Sequence, residues 1–233
     1  MSIIEEVFER MDRWRNLPKY GLERRADIFF GVYLKHALEK KYRVKIQGEI
    51  IPEFPVRKAT VDPSIQSDQS SFNVDFLAFS EDKKTAFLIE LKTDIGSRRE
   101  KQDYYLEAVK NIGLVGLIHG LVKIFQATKI KRKYFHLFKM LENAGIVELP
   151  SQLQSLVFSD NMRGVNALIR DVKINAPVGQ MKVVYLQPTG VRENIINFNE
   201  FADLIEGIND PVTQRFVKSL KTWSEIKAGD MNV

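Results

Sequence analysis

Two carboxylates and a lysine fall on what reads as one β-hairpin, and these groups can hold a divalent cation and act on a phosphate. The first arm is Ser71-Phe-Asn-Val-Asp75-Phe-Leu-Ala-Phe79. A charged link, Ser80 to Lys84, follows, and the second arm is Thr85-Ala-Phe-Leu-Ile-Glu90-Leu-Lys92-Thr-Asp94. Both arms are rich in aromatic, aliphatic and β-branched residues and the link is short, which is the hairpin signature. Strand alternation puts Asn73 with Asp75 on one face and Glu90 with Lys92 on one face, with Val74, Phe76, Ala78, Phe87, Ile89 and Leu91 on the opposite faces. Folding about Asp82 brings position 75 opposite 89 or 90, and the second register gathers Asp75, Glu90 and Lys92. Adjacent carboxylates repel, and Mg²⁺, typically held by one or two carboxylates, water and substrate phosphate, relieves that repulsion. A lysine beside such a metal stabilises developing negative charge or helps to generate the attacking hydroxide. The competing possibility is an edge hairpin whose polar face is solvated and whose Glu90 and Lys92 form a weak surface pair.

The spacing Asp75, fourteen residues, then Glu90-Leu91-Lys92 resembles the PD-(D/E)XK nuclease superfamily, with Val74 where the name has proline. The likeness covers roughly residues 18–126 plus a later strand. It implies an α/β fold: a restriction-endonuclease-like core with a mixed four-stranded sheet flanked by helices. It also implies Mg²⁺-dependent hydrolysis of DNA phosphodiester bonds, with Mn²⁺ as a substitute metal. Asp75, Glu90 and the Leu91 carbonyl would hold the metal, and Lys92 would orient or activate the water. The family's first-helix acid matches Glu23, with Asp27 one turn on as competitor. Gln102 with Tyr105 resembles a glutamine–tyrosine pair of exonuclease-like members, one residue short in its interval, and so implies for Gln102 either a hydrogen bond behind the metal ligands or a phosphate contact. Asn73 would hydrogen-bond behind the metal ligands, and Arg98 and Arg99 would meet phosphate. The alternative is a non-catalytic nucleic-acid-binding or protein-interaction module that retains the fold. Because the polar face would lie beside a cleft, Lys92→Ala is expected to leave the fold intact.

The elements that must position these groups follow from periodicity. Residues 3–15 and 18–41 read as helices, the second with Leu22, Ala26, Phe29, Phe30, Tyr33 and Ala37 at helical spacing. Tyr42 to Ile50 alternates like a strand, and the prolines at 52, 55 and 63 mark a loop. Ser97 to Glu100 reads as a capping box opening a helix to about Thr128. Residues 127–180 read as a mainly helical insertion, with helices over 132–143, stopped by Gly145, and 162–172. Its run Phe138 to Val147 resembles the end of a winged-helix recognition segment, a pattern that any amphipathic helix ending in glycine also gives. Met181 to Gln187 is a strand, and 197–227 two helices, the second begun by Asp210 and Pro211.

The 233 residues can bury a good core, and one domain over 1–233 is expected. Absence of cysteine excludes a disulfide framework and thiolate chemistry, and suits a cytoplasmic protein. The run Ile112 to Phe125 reads as too short and too polar for a membrane span. His36, His119 and His136 are too scattered for a metal motif, and His119 reads as a packing residue. Without a Gly-x-Gly-x-x-Gly or Walker A loop, no nucleotide cofactor is expected. Gly113, Gly116 and Gly120 read as close-packing sites within one helix. The net charge of +5 is compatible with a DNA partner. Lys129, Lys131, Arg132, Lys133 and Lys139 read as a solvated helix face or, alternatively, as phosphate contacts. The sequence leaves homo-oligomer formation open.

Overall fold

Strands β1 (Ile51–Arg57), β2 (Ser71–Phe79) and β3 (Thr85–Leu91) follow one another in a computed structural model that describes residues 2–65, 70–94, 100–159, 162–175 and 179–225. The hairpin forms as the sequence predicts. Its turn is closed by the Ser80 N–H donating to the Thr85 carbonyl at 2.9 Å and by Asp82 Oδ1 accepting from Ser80 Oγ at 2.6 Å and from the Lys84 N–H at 3.0 Å. These hydrogen bonds, Ser80's first, hold the Asp82 carboxyl below its ordinary range.

The strand expected over 42–50 is absent apart from a single bridge between Ile46 and Ser80. The segment expected as a loop supplies β1 instead, paired antiparallel with β2 from Ile51 opposite Leu77 to Arg57 opposite Ser71. Its prolines, 52 and 55, are tolerated because β1 ends the sheet, where a missing N–H need not break a ladder. Two further strands, β6 (Gln180–Gln187) and β7 (Ile195–Asn197), pair in parallel, Tyr185 opposite Ile195. The result is an α/β fold with a mixed sheet in the order β1-β2-β3-β6-β7. It has five strands where four were expected, because β7 is three residues long and leaves no alternation to read.

The helices are α1 (Ile3–Trp14), α2 (Glu23–Tyr42), the single turn α3 (Lys58–Val61), α4 (Glu100–Ala127), α5 (Lys131–Asn143), α6 (Leu153–Phe158), α7 (Met162–Leu168), α8 (Phe198–Ile205) and α9 (Pro211–Trp223). A small antiparallel pair, β4 (Val147–Glu148) with β5 (Lys173–Ile174), lies among them. The capping box at Ser97 falls outside the described residues.

Packing divides the chain into two compact units, residues 1–44, 89–100 and 184–233, and residues 45–88 and 101–183. In the first, α1, α2, α8 and α9 share an aromatic core. Phe216, fully buried, sits 5.3–6.4 Å from the rings of Phe8, Phe29, Phe30, Tyr33, Phe201 and Trp223. Asp12 ties α1 to α9, accepting from Trp223 Nε1 at 2.7 Å and pairing with Arg215 at 2.8 Å. The start of α9 is fixed as the sequence predicts: Asp210 Oδ2 accepts from the Thr213 N–H at 2.8 Å, with Pro211 in the first turn. Asp210→Ala is expected to cost about 1 kcal/mol of stability, read as a lower denaturant midpoint with unchanged slope.

In the second unit α4 is interrupted at Gly113, whose φ of 67° and ψ of −178° are not helical. Gly113 therefore breaks the helix rather than packing within it, whereas at Gly120 an added Cβ would come within 2.8 Å of Thr60 Oγ1. Asp103–Ala127 is, by length and composition alone, long and apolar enough to cross a membrane, although its most apolar stretch is nearly half buried. The break divides α4 into helical segments 100–112 and 114–127, each short of the roughly 20 residues of a span. Leu114, Leu117, Ile118, Leu121 and Phe125 face inward, which puts His119 on the exposed face instead of in the packing.

Candidate functional site

Glu90, Lys92 and Glu23 meet in the first unit. The β3 strand lies between β2 and β6 in the sheet order, so Glu90 is buried rather than on a solvated edge. Lys92, just past the strand, is anchored by its N–H donating to the Leu186 carbonyl of β6 at 2.8 Å. Only 2% of Glu90 and 7% of Lys92 are exposed. The Lys92 ammonium lies 2.5 Å from Glu90 Oε1, 3.2 Å from the Leu91 carbonyl oxygen and 3.9 Å from Glu23 Oε2. Glu23 is half-buried in the first turn of α2, where the helix dipole favours a carboxylate. Asp27, one turn on, accepts from the neighbouring Ile28 N–H at 2.7 Å.

This burial overturns the weak surface pair and revises the expectation for Lys92→Ala. A buried ion pair is costly to desolvate and costlier to halve, since removal of one partner strands the other charge. The chain therefore retains at this point a charged cluster that an apolar pair would replace at little cost in stability.

Asp75 belongs to the second unit, half-buried on β2. Asn73, on the same strand face, donates from Nδ2 to Glu53 Oε2 at 2.8 Å rather than acting alone. The pairing of Pro52 with Phe76 and Phe54 with Val74 sets Glu53 opposite Asp75. Sequence reasoning missed Glu53 because it lies between the two prolines of a segment read as loop. The available signal was Ile51-Pro-Glu-Phe-Pro-Val56 itself, an apolar-rich stretch short enough for an edge strand.

The remaining candidates separate. Arg98 and Arg99 lie outside the described residues, as does the Gln102 side chain. Tyr105 is buried and stacked on Phe72 at 5.3 Å. The basic cluster is not a uniform solvated face. Lys131 is 4% exposed and donates to the carbonyls of Phe125 and Gln126, closing the end of α4. Burial lowers its pKa. Arg132 lies over the Phe158 ring at 5.5 Å, and Lys139 pairs with Glu142. Lys129 and Lys133 are both exposed.

Among the described residues no three or more His, Cys, Asp or Glu side chains gather as a ready metal cage. Comparison with protein-family models, with curated proteins and with solved structures finds no match in any of the three.

Proposed function

We propose that the chain is a Mg²⁺-dependent nuclease that hydrolyses DNA phosphodiester bonds on a restriction-endonuclease-like core. The observation that carries this is the cluster of buried Glu90 and Lys92 with half-buried Glu23, residues that the PD-(D/E)XK resemblance singles out, within one packed unit. A positive group already lies against the oxygens assigned to the metal. The Lys92 ammonium is within hydrogen-bond reach of the Glu90 carboxylate and the Leu91 carbonyl. These are hard oxygen donors of the kind Mg²⁺ takes, few enough to leave positions for water and phosphate.

Asp75 is required to complete the acid set. Bound Mg²⁺ supplies a Lewis acid and lowers the pKa of water. Glu90 and the Leu91 carbonyl would hold the cation together with Asp75, the further acid that the resemblance implies, Lys92 would hold the water or the phosphate oxygen, and Glu23 lies 3.9 Å from the Lys92 ammonium.

Mn²⁺ titration followed by the spin resonance of the free ion tests the assignment. The wild-type protein is expected to bind Mn²⁺ without DNA, and a protein that binds none is a scaffold rather than a nuclease. Glu23→Gln is expected to weaken Mn²⁺ binding or lower the cleavage rate about 10- to 100-fold, the usual cost of losing a residue that supports metal ligands. Unchanged affinity and rate would remove Glu23 from the site.

A further inference from the structure

The second unit carries a feature that the nuclease assignment does not use. From α5 onward the element order is helix α5, strand β4, helices α6 and α7, then strand β5 pairing back on β4. Helices α6 and α7 are separated only by residues 159–161 and pack on each other, and α6 packs on α5. Phe135, Phe138, Leu141, Val157, Val165 and Ile169 are buried, so the three helices have their own apolar core. Phe158 at the end of α6 packs edge-on to Phe135 at 6.0 Å, and Gln126 Nε2 donates to the Asn166 carbonyl at 2.9 Å, which holds α7 to α4. Two consecutive short helices packed on each other, the first of them also packed on α5, have the element order of a helix-turn-helix, whose second helix is the one that enters a groove. The run Phe138 to Val147, which resembles a recognition segment in sequence, is instead the end of the first, supporting helix and the start of β4.

The outward face of α7 has the matching chemistry. Val165 and Ile169 turn inward, while Arg163, Ala167 and Arg170 are exposed at positions four and three residues apart, along one stripe of a helix continued by a single 3-10 turn. Arginine is the side chain that reads guanine bidentately in the major groove, and a small apolar residue between two arginines suits a thymine methyl.

We infer that α7 is a recognition helix: its Arg163–Ala167–Arg170 face docks in the major groove of duplex DNA. The inference goes beyond the nuclease assignment and does not depend on metal binding. It implies that the chain selects a short, guanine-containing sequence through this face, with phosphate contacts fixing the register.

The test is selection of a random-core duplex DNA pool by the full-length chain in EDTA, where metal-dependent cutting is silent. Fluorescence anisotropy on the enriched duplex follows. Wild type is expected to enrich a common sequence. Arg163→Ala/Arg170→Ala is expected to bind it on the order of a hundredfold more weakly, about tenfold for each lost bidentate contact, with the preference erased. Both side chains are exposed, so the melting curve of the variant should match wild type, and it serves as the folding control. An unenriched pool, enrichment from an RNA pool but not from duplex DNA, or a variant that selects the same sequence with equal affinity overturns the inference. A wild type that enriches duplex DNA and yet cuts no DNA with Mg²⁺ refutes the nuclease and supports the recognition helix, so the two failures are distinguishable.

Discussion

Lys92→Ala is expected to abolish most cleavage and to destabilise the protein together. One electrostatic or acid–base group at a reacting phosphate is worth on the order of a hundredfold or more in rate. The stability loss has a separate cause: Glu90, 2% exposed, loses the ammonium 2.5 Å from its carboxylate. Stranding one partner of a buried pair costs about 3–5 kcal/mol. The two effects separate in the Glu90→Gln/Lys92→Met double variant, which buries no net charge. It is expected to unfold at a higher denaturant concentration than Lys92→Ala while remaining inactive, because apolar or neutral replacements of buried ion pairs are often neutral to stabilising. A double variant no more stable than Lys92→Ala would mean that the pair is not the source of the loss.

Phe216→Ala is expected to cost about 3–5 kcal/mol, the range for removing a fully buried aromatic ring. The size follows from position. Phe216 is at the centre of the aromatic cluster of α1, α2, α8 and α9, and Tyr33, stacked on it at 5.7 Å, also bonds Thr213 Oγ1 at 2.8 Å. The cavity would border helices held on several sides, which limits collapse. Urea unfolding should show a lower midpoint, and a change below about 1 kcal/mol would mean that the first unit is not organised around this ring. Because Glu23 begins α2, loss of this core should also lower metal affinity, whereas Phe138→Ala in the second unit should destabilise without that signature.

How much was legible in the sequence depended on the length and regularity of each element. The hairpin could be read because both arms are at least seven residues long and rich in aromatic, aliphatic and β-branched residues, and the short turn has a carboxylate at Asp82 that accepts from the Lys84 N–H. Helices α1 and α9 could be read because an apolar stripe and, for α9, an Asp-Pro start coincide. Strand β1 was hidden by its prolines, which forbid a central strand and permit an edge one. Strands β4, β5 and β7 are too short to show a period. The Gly113 break and the outward His119 depend on a backbone dihedral and a helix phase that glycine spacing cannot reveal. In the candidate site, Glu90 and Lys92 two apart on a strand, and Glu23 at a helix start, were legible. Their burial was not, because it comes from the strand's place in the sheet. The role of Lys131 was misread for a related reason: a lysine that closes a helix end looks in sequence like any other member of a basic run.

The central claim is phosphodiester hydrolysis, and the most direct measurement is cleavage of plasmid, linear, single-stranded and branched DNA with Mg²⁺ or Mn²⁺, comparing wild type with Asp75→Ala at matched purity and matched melting temperature. The expected result is metal-dependent cutting of at least one substrate by wild type, abolished by EDTA and lowered on the order of a hundredfold or more in Asp75→Ala. Wild type that cuts none of the substrates, or Asp75→Ala that cuts as well as wild type, would contradict the assignment and leave a binding module built on the same fold.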